Sequence, residues 1–179
     1  MNLFLIGYRC SGKTTIGKSI AMAIDWSFVD SDIWLSKECG RSIKDIVATE
    51  GWQAFRRREH STLKRICTKD RQVVATGGGV VLDADNIKTM KTGGMVVWLG
   101  ASAETIQRRM LQDKNTANFR PALTDKGGIE EIEDMLLKRN PYYESASDLC
   151  IHTDDVPVNA ITQAIIEKLN QKGSGTFFD

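Results

Sequence analysis

The 179-residue chain has almost no net charge, +1 from 24 basic and 23 acidic residues, so its overall field gives nucleic acid or an anionic membrane no reason to bind. Any anion must be held by a local arrangement. No apolar run approaches the roughly 18 residues of a helical membrane span, and the opening MNLFLIG lacks the basic flank and apolar length of a signal peptide. Cys10, Cys39, Cys67 and Cys150 form no CxxC pair and no zinc-like spacing, so reduced thiols in a cytoplasmic protein are expected. His60 has no second ligand at metal-binding spacing and reads as a solvated residue of a charged helix. There is no internal repeat. What remains, 41% hydrophobic and 26% charged residues, is the composition of one globular domain with a sizeable core.

Strand-length apolar runs recur at residues 3–6, 27–29, 72–76, 95–99 and 149–151. Between and after them, helical spacing predicts helices over 13–24, 31–38, 42–67, 83–91, 102–112, 128–144 and 157–171. This alternation predicts an α/β fold with a parallel sheet covered by helices on both faces. Residues 112–128, QDKNTANFRPALTDKGG, have little periodicity and contain Pro121, Gly127 and Gly128. Unstructured connections of that length often serve as active-site lids, so a lid is expected over 112–126. The domain is expected over 1–172, with 173–179 a frayed tail.

GYRCSGKT, Gly7 to Thr14, matches GxxxxGK[ST] with a strand before it and a helix after it. Backbone N–H groups of such a loop converge on one concavity at a helix N-terminus, where polyphosphate charge meets the positive end of the helix dipole. Lys13 is expected to reach the β and γ phosphates, and the Thr14 hydroxyl to bind Mg²⁺. Cys10 carries a Cβ at the third variable position, which costs energy if the loop demands positive φ there.

The third strand offers no acid for a Walker B role and runs instead into Thr76 and three glycines. The second strand ends in FVDSD. If the chain stays extended there, Asp30 and Asp32 point the same way, outside the carboxyl end of the sheet where ligands gather. Asp30 would help hold hydrated Mg²⁺, while Asp32 would accept a hydrogen bond, and later a proton, from an attacking hydroxyl. The alternative is that Asp30 ends the strand and Ser31 or Asp32 caps the following helix. In AFRRRE, residues 54–59, Arg56 and Glu59 are spaced to pair, which would hold the guanidinium for bidentate recognition of a carboxylate. Gly77–Gly79 suits either close approach of backbone to ligand or a permissive turn.

With these residues in place, the chain resembles shikimate kinases. The P-loop is followed in family order by DSD, FRRRE fitting FRxxE, TGGG, RPAL and RNPYY fitting RxPxY, from Gly7 to Tyr143. The resemblance implies a three-layer P-loop kinase fold, a five-stranded parallel sheet in order 2-3-1-4-5 with a mobile lid, and a substrate-binding region over 31–60. It implies transfer of the ATP γ-phosphate to the 3-hydroxyl of shikimate. Gly7, Ser11, Gly12, Lys13, Thr14, Thr15 and Arg120 would bind ATP, and Thr14 and Asp30 would bind Mg²⁺. Asp32, Arg56, Gly78, Gly79 and Arg139 would bind shikimate, with Asp32, Lys13 and Arg120 catalytic. A monomer with no nucleic-acid or membrane partner is expected. The chain departs from the family at Cys10, at Asp113 and Lys114, where an arginine near the adenine is common, and at His152, where aspartate is common.

Two other readings compete. Another metabolite kinase of this fold, one acting on gluconate for example, would share the P-loop but has no need of FRxxE and RxPxY. A nucleotide-binding switch without turnover should show NKxD, which the chain lacks.

Overall fold

The computed structural model describes residues 1–112 and 128–174. Its strands are β1 (Asn2–Ile6), β2 (Ser27–Asp30), β3 (Gln72–Ala75), β4 (Gly94–Gly100) and β5 (Leu149–His152). They form one parallel sheet in the order β2-β3-β1-β4-β5, as the resemblance implied. The helices are α1 (Lys13–Ala23), α2 (Ser31–Cys39), α3 (Ile43–Ile66), α4 (Ala84–Gly93), α5 (Ala103–Gln112), α6 (Ile129–Ala146) and α7 (Val158–Ser174). The last helix runs through Ser174, and residues 175–179, where most of the expected tail falls, lie outside the described residues. So do residues 113–127, including Arg120 and most of the expected lid.

The core is split by the period-2 alternation of its strands. Leu3 and Leu5 of β1, Val73 of β3 and Met95, Val97 and Leu99 of β4 point to one face and pack on Ile16 and Ile20 of α1 and Ile161 and Ile165 of α7. Phe4, Ile6, Val74 and Val96 point to the other, against Leu63 and Ile66 of α3 and Tyr143 and Ala146 of α6. Because β1 is buried on both faces and paired on both edges, its carboxyl end is held in place.

Four local features differ from expectation. The helix begins at Ser31, as its spacing predicts, which takes Asp32 out of the extended segment on which the strand-face alignment of Asp30 and Asp32 depended. The long helix over the AFRRRE stretch is broken at Gly51, whose φ of 81° and ψ of 168° interrupt the helical ladder. Glu50 spans that break by binding both Arg41 and Arg58. A short 3-10 turn, Val80–Leu82, follows the glycine run. His60 also departs from the solvated role, since its Nδ1 lies 2.8 Å from Asn86 Oδ1 in a half-buried position.

Packing on the two faces predicts unequal responses to truncation. Leu5→Ala should destabilise the protein by about 2–5 kcal/mol, whereas Met22→Ala, on the exposed side of α1, should change stability by less than about 0.5 kcal/mol. Urea unfolding midpoints at constant m-value check both. Equal shifts would contradict this description of the core.

Candidate active site

The P-loop leaves the carboxyl end of β1 through three residues of positive φ: Gly7 at 138°, Cys10 at 60° and Gly12 at 97°. Cys10 thus occupies the left-handed region that the sequence flagged as costly for a side chain. Lys13 folds across the loop, its Nζ donating to the carbonyls of Gly7 at 2.8 Å and Tyr8 at 2.7 Å. The helix it opens differs from its neighbours in how it begins. Asp30, Ser42 and Asp83 cap α2, α3 and α4 with their side chains, whereas α1 starts from Gly12 with no side-chain cap. Its first N–H groups are left for an anion, which is the requirement of a phosphate cradle. Ser11 and Thr15 lie in this loop and in the first turn of α1.

Asp30, and not Ser31 or Asp32, caps the helix. Oδ1 accepts from the Asp32 and Ile33 N–H groups at 3.1 and 3.2 Å, capping α2, while Oδ2 accepts from the Thr14 hydroxyl at 3.2 Å. A hydroxyl and a carboxylate oxygen thus converge beside the cradle, a hard-oxygen pair of the kind Mg²⁺ accepts with phosphate and water completing its shell. Asp32, one residue into the helix, turns elsewhere. Its Oδ1 crowds the open face of Gly77, where a Cβ would stand 2.7 Å from it and 2.9 Å from Glu59 Oε1. The Ser31 hydroxyl accepts from the Gly77 N–H at 3.2 Å and pins the glycine run to the end of β2.

Asp32, Glu59 and Gly77 line a solvent-open cleft between the P-loop, α2, α3 and α6. Arg56 enters it from α3, its Nη1 donating to Glu59 Oε2 at 2.6 Å and its guanidinium lying 5.2 Å from the Phe55 ring centroid and 5.6 Å from that of Trp52. Arg57 is exposed and Arg58 binds Glu50, so the helical 100° step lets one arginine of the three reach the cleft. Gly79 makes room for it, because a Cβ there would collide with the Arg56 guanidinium. Arg139 is buried mid-helix and is no surface charge; its Nη1 donates to the Gly78 carbonyl at 3.2 Å, as does the Tyr143 hydroxyl to the same oxygen. Burial pushes the Tyr143 phenol up to about 12, so it remains a donor at any working pH.

Sequence reasoning passed over several of these residues. Tyr8 and Arg9 stand at variable positions of the P-loop motif, and Gly77 was not separated from its neighbours. Glu59 was seen only as a partner for Arg56, yet it is a buried carboxylate whose Oε1 has no hydrogen-bond partner among the described residues. Burial raises its pKa above the ordinary 4.5 against the pull of Arg56. Arg109 donates to the Cys10 carbonyl at 3.3 Å, to the Thr153 hydroxyl at 2.9 Å and to the Thr153 carbonyl at 2.7 Å, tying α5 to the P-loop and to the end of β5. Its only sequence signal was the position of a basic pair before the aperiodic stretch.

The shikimate kinase family model matches residues 9–170. The chain belongs to the shikimate kinase family. Members of the family are ATP-dependent kinases of a small-molecule alcohol, and this chain is one of them. It is similar to shikimate kinase 2 of Yersinia enterocolitica, 39% identical over 163 residues that cover 91% of this chain and 92% of that one. A shikimate kinase of Syntrophus aciditrophicus is 37% identical over 179 residues, 96% and 92% of the two chains. The shikimate kinase of Acinetobacter baumannii, solved in complex with shikimate, superposes with a TM-score of 0.87 at 30% identity, covering 99% of this chain and 95% of that one. A gluconokinase from Sinorhizobium meliloti, at 17% identity and a TM-score of 0.61 over 99% and 95%, shares the fold alone.

Two outcomes are expected from the cleft geometry. Gly79→Ala should displace the Arg56 guanidinium and raise the acceptor KM by about tenfold or more while the ATP KM changes little; equal changes in both would contradict the assignment. Glu59, with a folded pKa above its unfolded one, holds its proton longer when folded, so its contribution to stability declines as pH rises from 4.5. The stability of the wild type relative to Glu59→Gln should therefore fall with rising pH, read from urea midpoints across about pH 4 to 8. A difference independent of pH would refute it.

Proposed function

We propose that the chain transfers the γ-phosphoryl group of ATP to the 3-hydroxyl of shikimate, releasing shikimate 3-phosphate and ADP. The observation that carries this reading is that a single cleft joins the P-loop to Asp32, Arg56, Gly77–Gly79 and Arg139. Two guanidiniums on one wall suit a carboxylate, and a carboxylate beside the phosphate cradle suits the hydroxyl to be phosphorylated. Gluconate also carries a carboxylate, so the Arg56–Arg139 pair does not separate the two acceptors; the match to the shikimate kinase family and its relatives favours shikimate, and a switch has no use for an acceptor cleft.

Asp32 orients the acceptor hydroxyl and takes its proton as the oxygen bonds to the γ-phosphorus. The bond from that phosphorus to the β,γ-bridging oxygen breaks, and ADP leaves with the electron pair. Lys13 exchanges the loop carbonyls of Gly7 and Tyr8 for phosphate oxygens. Thr14 and Asp30 would hold Mg²⁺, which when bound neutralises phosphate charge. The backbone of Gly78 and Gly79 meets the acceptor, and Arg120, by family likeness, adds positive charge at the phosphates. Such a reaction asks the protein for positioning and charge more than for covalent chemistry. One chain supplies all these residues, so the reaction as proposed needs none from a partner subunit. ATP as co-substrate and four free cysteines support the cytoplasm. Among the described residues no helix is long and apolar enough to cross a membrane, and the near-zero net charge favours neither membrane nor nucleic acid.

A coupled ADP-release assay with Mg·ATP and shikimate, gluconate or no acceptor tests the reading. Shikimate should drive release, and Asp32→Asn should lower kcat by about 10²–10⁴. Release that ignores shikimate, or an undiminished Asp32→Asn variant, would overturn it.

A further inference from the structure

Tyr8 and Arg9 occupy variable positions of the P-loop, where the backbone serves the phosphates and the side chains are left for other work. Here both reach the helices on either side of residues 113–127. The Tyr8 ring, 2% exposed, packs on Ala103 and Ile106 of α5 and Ile132 of α6. Arg9 Nη2 lies 3.6 Å from Glu131 Oε1 in the first turn of α6, with both side chains about one-tenth exposed. The guanidiniums of Arg9 and Arg139 stand 5.6 and 5.7 Å from the Tyr8 ring centroid, so one aromatic ring organises a cation from each of two elements.

Arg9 also lines the cleft, whereas Glu131 does not. Its separation from Glu131 exceeds the roughly 2.7–2.9 Å of a charge-assisted hydrogen bond, so the carboxylate fixes the position of the charge without taking up the five N–H donors of the guanidinium. A half-buried cation held beside the cleft, its ion pair with Glu131 longer than a hydrogen bond, is suited to an anion there. We propose that Arg9 is a third acceptor-binding arginine beside Arg56 and Arg139, and that Glu131 is its positioning residue. Acceptor affinity is thereby tied to the seating of α6, the helix that follows residues 113–127. The inference rests on the proposed reaction and names a carboxylate-bearing polyol as the guest.

Glu131→Gln, Arg9→Met and the double variant, assayed by ADP release with shikimate and then ATP varied, test it. Glu131→Gln should raise the shikimate KM about fivefold and Arg9→Met about twentyfold, with the ATP KM changing less than about twofold in Glu131→Gln. The double variant should match Arg9→Met alone, because a positioning residue has no effect once its partner is gone. Glu131→Gln is near-isosteric, and a thermal unfolding midpoint measured beside the kinetics separates lost positioning from lost fold. An unshifted shikimate KM in Glu131→Gln, or single-variant effects that multiply in the double, would overturn the pair while leaving the reaction intact. A wild type with no shikimate-dependent release would sink the reaction itself, and the pair's role with it.

Discussion

The site depends on how the chain leaves β1. A strand buried on both faces and paired on both edges cannot shift, so the loop after it starts from a fixed point. Three positive φ angles within six residues curl that loop into a concavity, and Lys13 spans it through the carbonyls of Gly7 and Tyr8. Neighbouring elements lean on the loop. Arg109 and Thr153 hold the carbonyls of Cys10 and Ser11 from the far end of the sheet, while Asp30 reaches Thr14 from the near end. Without the curl, none of these contacts would have a common target.

The second constraint is the concentration of charge in a small cleft. Isolated charges are too costly to bury, so each is held by a partner or aimed at one. Glu59 holds Arg56, the Gly78 carbonyl holds Arg139, and Glu131 faces Arg9. The glycine run permits this crowding, since side chains at Gly77 or Gly79 would collide with Asp32 and Glu59 or with Arg56. The two explanations for these glycines were evenly matched on composition. Their surroundings add a third reason for glycine, since the neighbours that need the space are the site's own charged groups.

Much of this was legible in advance because it is written locally. The P-loop spelling, the strand runs and the helix phases depend on residues near one another in sequence, and their boundaries agree with the structure to within a few residues. The reasoning went astray where a local pattern had two continuations. Asp30 and Asp32 would align on a strand, but a side-chain cap at Asp30 starts the helix one residue later and sends the two carboxylates to different tasks. The burial of Arg139 and its hydrogen bond to Gly78, sixty-one positions earlier, had no local signal at all.

The sequence by itself determined the fold class, the phosphate cradle and the candidate residues, because hydrophobic period and motif spacing are properties of short stretches. Only the tertiary structure decided which of Arg56, Arg57 and Arg58 enters the cleft and that Asp30 serves cap and Thr14 together. It likewise decided that Arg9 meets Glu131. Those outcomes depend on distances between segments far apart in the chain, which parallel strand order and helix packing set and which no local pattern encodes.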